Sequence, residues 1–442
     1  MARVCVLVLG DLGRSPRMQY HAWSLSDLPS VGCVTMLGYE GEACFAQGRS
    51  PKLEERRISL GRGMNSHGRV YKALVLIRYL VREFWMHEYD VVLVQNPPAL
   101  PVLLALLVIR GLLCLSSSKR PRVILDWHNL GFTMFLGGSS FFIATMRLAE
   151  KLAARAVADK HVCVSGAMRD WLRASFGVSA TVLHDRPGSI FGSSSSSSSS
   201  SSSLLTPGQR HDLLTRVGLT DGEQGATIQT TSEAALRPSV ALGAVKSSDA
   251  AISRPFLLVS STSWTADEDF GMLLQAAVQV DQALRLCGSR CVIAITGKGP
   301  LRAEFEDQVV QLSKSGFLRC VSFRFLWLEQ GDYPNLLRCA DLGVCLHKST
   351  SGLDLPMKVL DMFGAGLPVV SFAYESIGEL VDDETGRLFS SAKELSGRIC
   401  ELLSNPGALA ALREGVAKQQ RERGNWTENW TRAMRPVVEE LL

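Results

Sequence analysis

A run of small residues leading into a helix that carries a lysine in its first turn is an anion-binding arrangement. Residues 349–358 have that form: Ser349, Thr350, Ser351, Gly352, Leu353, Asp354, Leu355, Pro356, Met357 and Lys358. Free N–H groups and the helix dipole favour negative charge there, whereas Lys358 is a poor partner for the dipole. A nucleotide diphosphate beside Ser351 and Gly352 would account for both features. Every α/β domain contains strand, loop and helix units of similar outline, so this stretch takes its meaning from the rest of the chain. Asp126, Trp127, His128 and Asn129 place a carboxylate, an imidazole and an amide within four residues. Residues 10–21 hold Asp11, Gly13, Arg14, Arg17 and His21, and two guanidiniums at a helix start suit a diphosphate or make a solvated basic turn. Gln95, Asn96, Pro97 and Pro98 form a third polar stop. Any one of these could be a satisfied buried cluster, whereas three at one sheet edge point to an active cleft. Lys298, between Gly297 and Gly299, is placed to approach phosphate, and the hydroxyls and acids of 260–269 are helix-capping chemistry.

Holding these groups requires strand ends. Apolar runs at 4–9, 31–39, 91–95, 123–127, 161–165 and 181–184 read as strands, with helical patterns at 18–28 and 69–86 among them. The same alternation restarts with strands at 256–261, 291–296, 321–325, 342–346 and 367–372, and helices at 267–286, 301–314 and from 356. Such alternation forces parallel strands with covering helices and puts ligands beyond the strands' carboxyl ends. The expected fold class is α/β, with two Rossmann-like doubly wound domains facing one another across a cleft, the GT-B arrangement. Residues 1–190 form the first domain and 255–442 the second, whose final helix is expected to pack back toward the first. Between them, 191–254 contains eleven consecutive serines (193–203) and is expected to be a disordered insertion.

A formal charge of +4 argues against nucleic acid as the main partner and suits phosphates or anionic lipid head groups. The eleven cysteines show no CxxC pair, and Cys287 and Cys291 at CxxxC spacing read as reduced core residues of a cytosolic protein. Two sequons, at Asn425 and Asn429, are expected to be chance matches. Residues 2–10 read as a strand, neither signal peptide nor membrane span. The apolar runs 99–115 and 132–146 are each a buried helix or an element of a bilayer interface. GT-B chemistry requires no divalent ion in the cleft and no DxD is assigned as a ligand pair, so no metal is expected in the site.

The stretches 10–21, 95–98, 126–129, 261–265 and 351–358 resemble, in order and over nearly the whole chain apart from the serine-rich insertion, the chitobiosyldiphosphodolichol β-mannosyltransferases, glycosyltransferase family 33. The resemblance implies transfer of mannose from GDP-mannose, as donor substrate without a tightly bound cofactor, to GlcNAc2-diphosphodolichol. The setting it implies is the cytosolic face of the endoplasmic reticulum membrane, beside neighbouring mannosyltransferases. It also implies inversion, hence a base on the acceptor hydroxyl, for which Asp11 ranks first with His128 and His21 behind it; the alternative for Asp11 is a helix-cap or turn carboxylate. The donor contacts are assigned to Ser261, Ser263, Lys298, Ser351, Gly352, Asp354, Lys358 and Asp361, and the acceptor diphosphate to Gly13, Arg14 and Arg17. The prenyl chain is assigned to the apolar surface of 100–115. Many GT-B enzymes carry an Arg and a Lys after the donor domain's first strand and two acids eight positions apart. Here Ser263, Asp267 and Asp269 follow that strand, and Asp354 and Asp361 are seven apart, so an Arg/Lys clamp is not carried over.

Overall fold

The computed structural model describes every residue except 45–49, 60–68, 99, 115–119, 136, 189–190, 192–204, 220–254, 266–267 and 330. The chain divides into two units, one of Met1–Asp185 with Trp426–Leu442, the other of Arg186–Asn425. The serine run lies outside the described residues, as does 220–254 of the expected insertion.

The first unit is built on strands β1 (Ala2–Asp11), β2 (Val31–Tyr39), β3 (Leu53–Ile58), β4 (Val91–Asn96), β5 (Arg122–Trp127), β6 (Lys160–Cys163) and β7 (Ala180–Val182). They form one parallel sheet in the order β3-β2-β1-β4-β5-β6-β7. Val4 to Val8 are all buried, because a central parallel strand has helices on both faces and admits no polar alternation. Helices α1 (Pro16–Ser26), α2 (Arg69–Met86), α3 (Leu100–Cys114), α4 (Ser140–Val157) and α5 (Gly166–Trp171) connect these strands. The chain reverses its direction of travel across the sheet between β1 and β4, and the crevice beyond those two strand ends is where an open α/β sheet takes ligands. Asp11 and Asn96 stand at those ends, and Asp126 and Trp127 at the end of the next strand.

The second unit has β8 (Phe256–Ser261), β9 (Cys291–Thr296), β10 (Val321–Leu326), β11 (Leu342–Cys345), β12 (Val369–Phe372) and β13 (Gly386–Phe389). They form a parallel sheet in the order β10-β9-β8-β11-β12-β13, with its reversal between β8 and β11. Its helices are α6 (Pro207–Arg216), α7 (Phe270–Cys287), α8 (Arg302–Lys314), α9 (Asp332–Cys339), α10 (Met357–Gly364), α11 (Ala392–Ser404) and α12 (Pro406–Arg423). Helix α6 corrects the expectation that all of 191–254 is disordered. Thr206 and Gln209 make a capping box at its start, and Leu213 and Leu214 are buried in the core of the second unit. Helix α7 starts at Phe270 rather than 267, because Asp269 caps it by accepting from the Met272 N–H. Glu268 is thereby left outside the helix and turned inward, 3% exposed.

The C-terminal helices α13 (Trp426–Ala433) and α14 (Arg435–Glu439) belong to the first unit, where Trp430, Met434 and Val438 join the core under β1, β2 and α1.

Candidate functional site

In the first unit, Asp126 collects cations at the end of β5. Arg17 grips it with two guanidinium bonds, Nε to Oδ2 at 2.8 Å and Nη2 to Oδ1 at 2.9 Å, while Nη1 donates to the Leu183 carbonyl and to Asp185 Oδ1. Burial opposes the charge on Asp126, but Arg17 and His128 outweigh it and hold the carboxyl well below the usual range. An ionised carboxylate only accepts, so His128 Nε2, 2.9 Å from Asp126 Oδ2, carries the proton between them. Nδ1, the nitrogen that bears the lone pair whenever the ring is neutral, has no hydrogen-bond partner among the described residues, on a side chain 23% exposed. The backbone is pinned as well. His128 N–H donates to the Asn96 carbonyl at 2.8 Å, and the buried Glu150 carboxylate accepts from Asn96 Nδ2 and from the Gly131 and Phe132 N–H groups.

In the second unit the loop after β8 is wound around Glu268. Its Oε2 accepts from the Thr262 hydroxyl and the Ser263 N–H, and its Oε1 is 2.6 Å from Lys358 Nζ at the start of α10. Trp264 has φ of 52°, an uncommon conformation for a side chain of this bulk. It is held there by the Thr262 hydroxyl, which accepts from its N–H, and by stacking on Phe270 at 4.5 Å between ring centroids. The turn leaves Ser263 exposed, its hydroxyl without a partner among the described residues. Close approach dictates Gly297 and Gly299: a Cβ would fall 1.8 Å from the Thr262 carbonyl oxygen at Gly297, and 2.0 Å from that of Ser263 at Gly299. Between them Lys298 lies over the Trp327 ring, 3.9 Å from its centroid.

Beyond β11, Glu268 forms a backbone bridge with His347, whose Nε2 is 3.2 Å from Asp354 Oδ2. Ser349 donates to Asp354 Oδ1 and accepts from the Gly352 N–H, and Gly352 takes φ of 75°. This knot sets the entry to α10, where Pro356 supplies no side-chain cap for the first-turn N–H groups. Lys358 gives one of its three N–H groups to Glu268, which leaves two for an anion. Free first-turn N–H groups beside an ammonium have the chemistry that suits an anion such as phosphate.

Asp361 stands apart from this arrangement. It accepts from the Tyr333 hydroxyl, which also pairs with Ser261 Oγ at 3.0 Å. Burial pushes the Asp361 carboxyl up to about 7 and the Tyr333 phenol well above its usual value. An acid raised from ~4 in the unfolded chain binds its proton more tightly when folded, so stability falls as pH climbs from ~4 to about 7 and stays level above. Asp361→Asn is expected to remove that slope. Its melting temperature should gain on the wild type as pH rises from 5 to 8, and parallel curves would show that Asp361 ionises freely.

Residues 35–184 match the family described as Glycosyltransferase Family 4, and residues 254–405 match Glycosyl transferases group 1. A human protein named chitobiosyldiphosphodolichol beta-mannosyltransferase is 35% identical across 98% of this chain and 92% of its own length. The chain belongs to that family. It is a glycosyltransferase. An Arabidopsis thaliana relative, named UDP-glycosyltransferase TURAN, is 36% identical across 100% of the chain and 98% of its own length. Among solved structures, sucrose-phosphate synthase from Thermosynechococcus elongatus aligns over 100% of this chain and 99% of its own with a TM-score of 0.65 at 12% identity. That likeness, with the two parallel sheets, makes the fold GT-B.

Several residues expected at the substrates of this chitobiosyldiphosphodolichol β-mannosyltransferase family member have other work in the structure. Arg17, expected at the acceptor diphosphate, is 3% exposed and committed to Asp126 and Asp185. Arg17→Ala would remove the guanidinium that two buried carboxylates share, and a loss of ~3–5 kcal/mol is expected in denaturant unfolding of the first unit; a change below ~1 kcal/mol would mean the network repacks. His21, expected as a reserve base, is fully buried, with Nδ1 accepting from Trp430 Nε1 and Nε2 facing Asp126 at 3.3 Å. It cannot reach a substrate hydroxyl. Asp11, ranked first as base, caps the turn that follows it by accepting from the Gly13 and Glu42 N–H groups. Gly13 is accounted for by the Glu42 backbone, 2.5 Å from where its Cβ would lie, and Arg14 is exposed and paired with Glu42 at 2.6 Å. Ser261 turns inward to Tyr333, and the Gly352 N–H, expected to face phosphate, is satisfied by Ser349. Likewise Ser351 accepts from the Leu353 N–H at 3.2 Å. The structure thus groups Ser263 and Lys358 around Glu268, sets Asp354 and Gly352 in the adjoining loop, and leaves Asp361 outside. Glu268 carried no signal in sequence beyond being one of three consecutive acids.

Proposed function

We propose that this protein transfers mannose from GDP-mannose to chitobiose carried on diphosphodolichol, with inversion, at the cytosolic face of the endoplasmic reticulum membrane. The names of the relatives supply the acceptor and the sugar. The observation that carries the chemistry is the His128 ring, held through Nε2–H by an ionised Asp126 with its Nδ1 lone pair unspent. Nδ1 takes the proton of the acceptor O4 hydroxyl as oxygen attacks the anomeric carbon. The bond from that carbon to the donor phosphate breaks, and GDP leaves with the electron pair. Lys358 and the first turn of α10 meet the charge that develops on the departing diphosphate. Ser263 and Lys298 line the same loops, and no tightly bound cofactor enters the scheme.

A UDP-sugar donor is a second reading, favoured by the name of the Arabidopsis relative. Purified protein should be given GDP-mannose, UDP-glucose or UDP-N-acetylglucosamine with a short-prenyl, diphosphate-linked chitobiose. Mannose transfer from GDP-mannose alone is expected. Transfer from a UDP-sugar, or none by folded protein supplied with membranes, would overturn the proposal.

A further inference from the structure

Helix α3 packs between α2 and α4, and the faces these three helices turn to solvent are apolar. On α3 the inward residues are Val102, Leu103, Ala105, Leu106 and Ile109, which is ordinary for a crossover helix covering a sheet. Its outward stripe is Leu104, Leu107, Val108 and Leu112, where water-facing polar residues belong. Helix α4 exposes Phe141 (83%), Leu148 (55%) and Leu152 (57%), and α2 exposes Tyr71, Leu74 (61%) and Trp85 (53%). Scattered exposed hydrophobics are normal on a protein surface, but three neighbouring helices with apolar outward stripes form a patch.

Charge identifies what the patch meets. The described side chains of the three helices include Lys72, Arg78, Arg82, Arg147, Lys151 and Arg155, besides Arg110, which is paired with Asp159, against two acids, Glu83 and Glu150. Both acids are occupied below the surface, Glu83 by Arg56 and Tyr89, Glu150 by Asn96 and the 131–132 backbone. On α2 the exposed positions Tyr71, Leu74, Arg78, Arg82 and Trp85 fall on one stripe, and neither arginine has an ion-pair partner among the described residues. Apolar side chains interleaved with unpaired cations, with aromatics among them, match a lipid surface, where the stems enter the acyl boundary and the cations meet phosphate. A second copy of the chain would bring like charges together. Among the described residues no helix is long and apolar enough to cross a membrane, and α3, at 15 residues, rises only ~22 Å against a hydrocarbon core of ~30 Å.

We infer that the outward faces of α2, α3 and α4 are a peripheral docking surface for an anionic bilayer. The inference rests on the proposed lipid-linked acceptor for its setting alone. Flotation of the full chain with phosphatidylcholine vesicles, with and without phosphatidylinositol, tests it. The wild type is expected to float, and more strongly with the anionic lipid. Phe141→Glu with Leu148→Glu, both on the exposed side of α4, should cut vesicle binding ~10-fold or more, from lost apolar burial. Arg78→Glu with Arg82→Glu should abolish the preference for phosphatidylinositol. Transfer to a water-soluble chitobiose diphosphate should be unchanged in both variants, so a failure of docking stays distinct from a failure of the proposed reaction. Wild type that stays with neither vesicle, or variants that float as it does, would overturn the inference.

Discussion

Replacing Lys358 with alanine is expected to lower mannose transfer about 100- to 1,000-fold, the usual consequence of removing one charged donor from the group that stabilises developing negative charge. The same change strands Glu268, whose side chain is fully buried and whose cationic partner is Lys358. An uncompensated buried carboxylate costs ~3–5 kcal/mol, so Lys358→Ala should also melt early. The two effects separate in the double variant. Adding Glu268→Gln to Lys358→Ala removes the stranded charge, and the melting temperature should recover much of the loss. Transfer should not recover, because the diphosphate still lacks its cation. Activity that returned together with stability would reduce Lys358 to a strut for the loop after β8. GDP affinity, measured by calorimetry on the wild type and both variants, should follow activity rather than melting temperature.

What the sequence shows and hides here follows from range. Buried parallel strands are near-continuous apolar runs, so residues 4–9, 91–95 and 256–261 announce themselves. Strand β3 does not: four of the six residues in Leu53–Ile58 are charged, as suits the edge of a sheet with one neighbour. Helix α6 was hidden by the low-complexity residues around it, although Thr206, Pro207 and Gln209 carried the capping signal. Lys358 and Ser263 were visible because the loop and helix start around them are local features. Their organiser was not, since Glu268 meets Lys358 across 90 residues and differs from its acidic neighbours only by facing inward. Arg17 was misassigned for the same reason. A guanidinium at a helix start looks available until Asp126, 109 residues away, and Asp185, 168 away, are brought against it.

The ranking of the base reverses on that same ground. Asp11 is tied to two backbone N–H groups, so its carboxylate is spent on the turn, whereas His128 has one nitrogen anchored and the other unspent. His128→Ala should therefore lower kcat about 100- to 10,000-fold with GDP binding intact, the range for loss of a positioned general base. Asp11→Asn should act through the cap, at ~1 kcal/mol of stability, and keep most of the turnover. Asp126→Asn supplies the discriminating case. An amide in that position can donate to Nε2 and shift the ring proton to Nδ1, where it blocks proton abstraction, and it also takes from Arg17 one of its two carboxylates. Its kcat should fall as far as that of His128→Ala, and the double variant should be no worse than either single one. A positioning role for His128 alone predicts instead that KM for the acceptor rises while kcat is retained. Loss of kcat in His128→Ala at unchanged KM for the acceptor, with kcat retained in Asp11→Asn, assigns the proton to the imidazole.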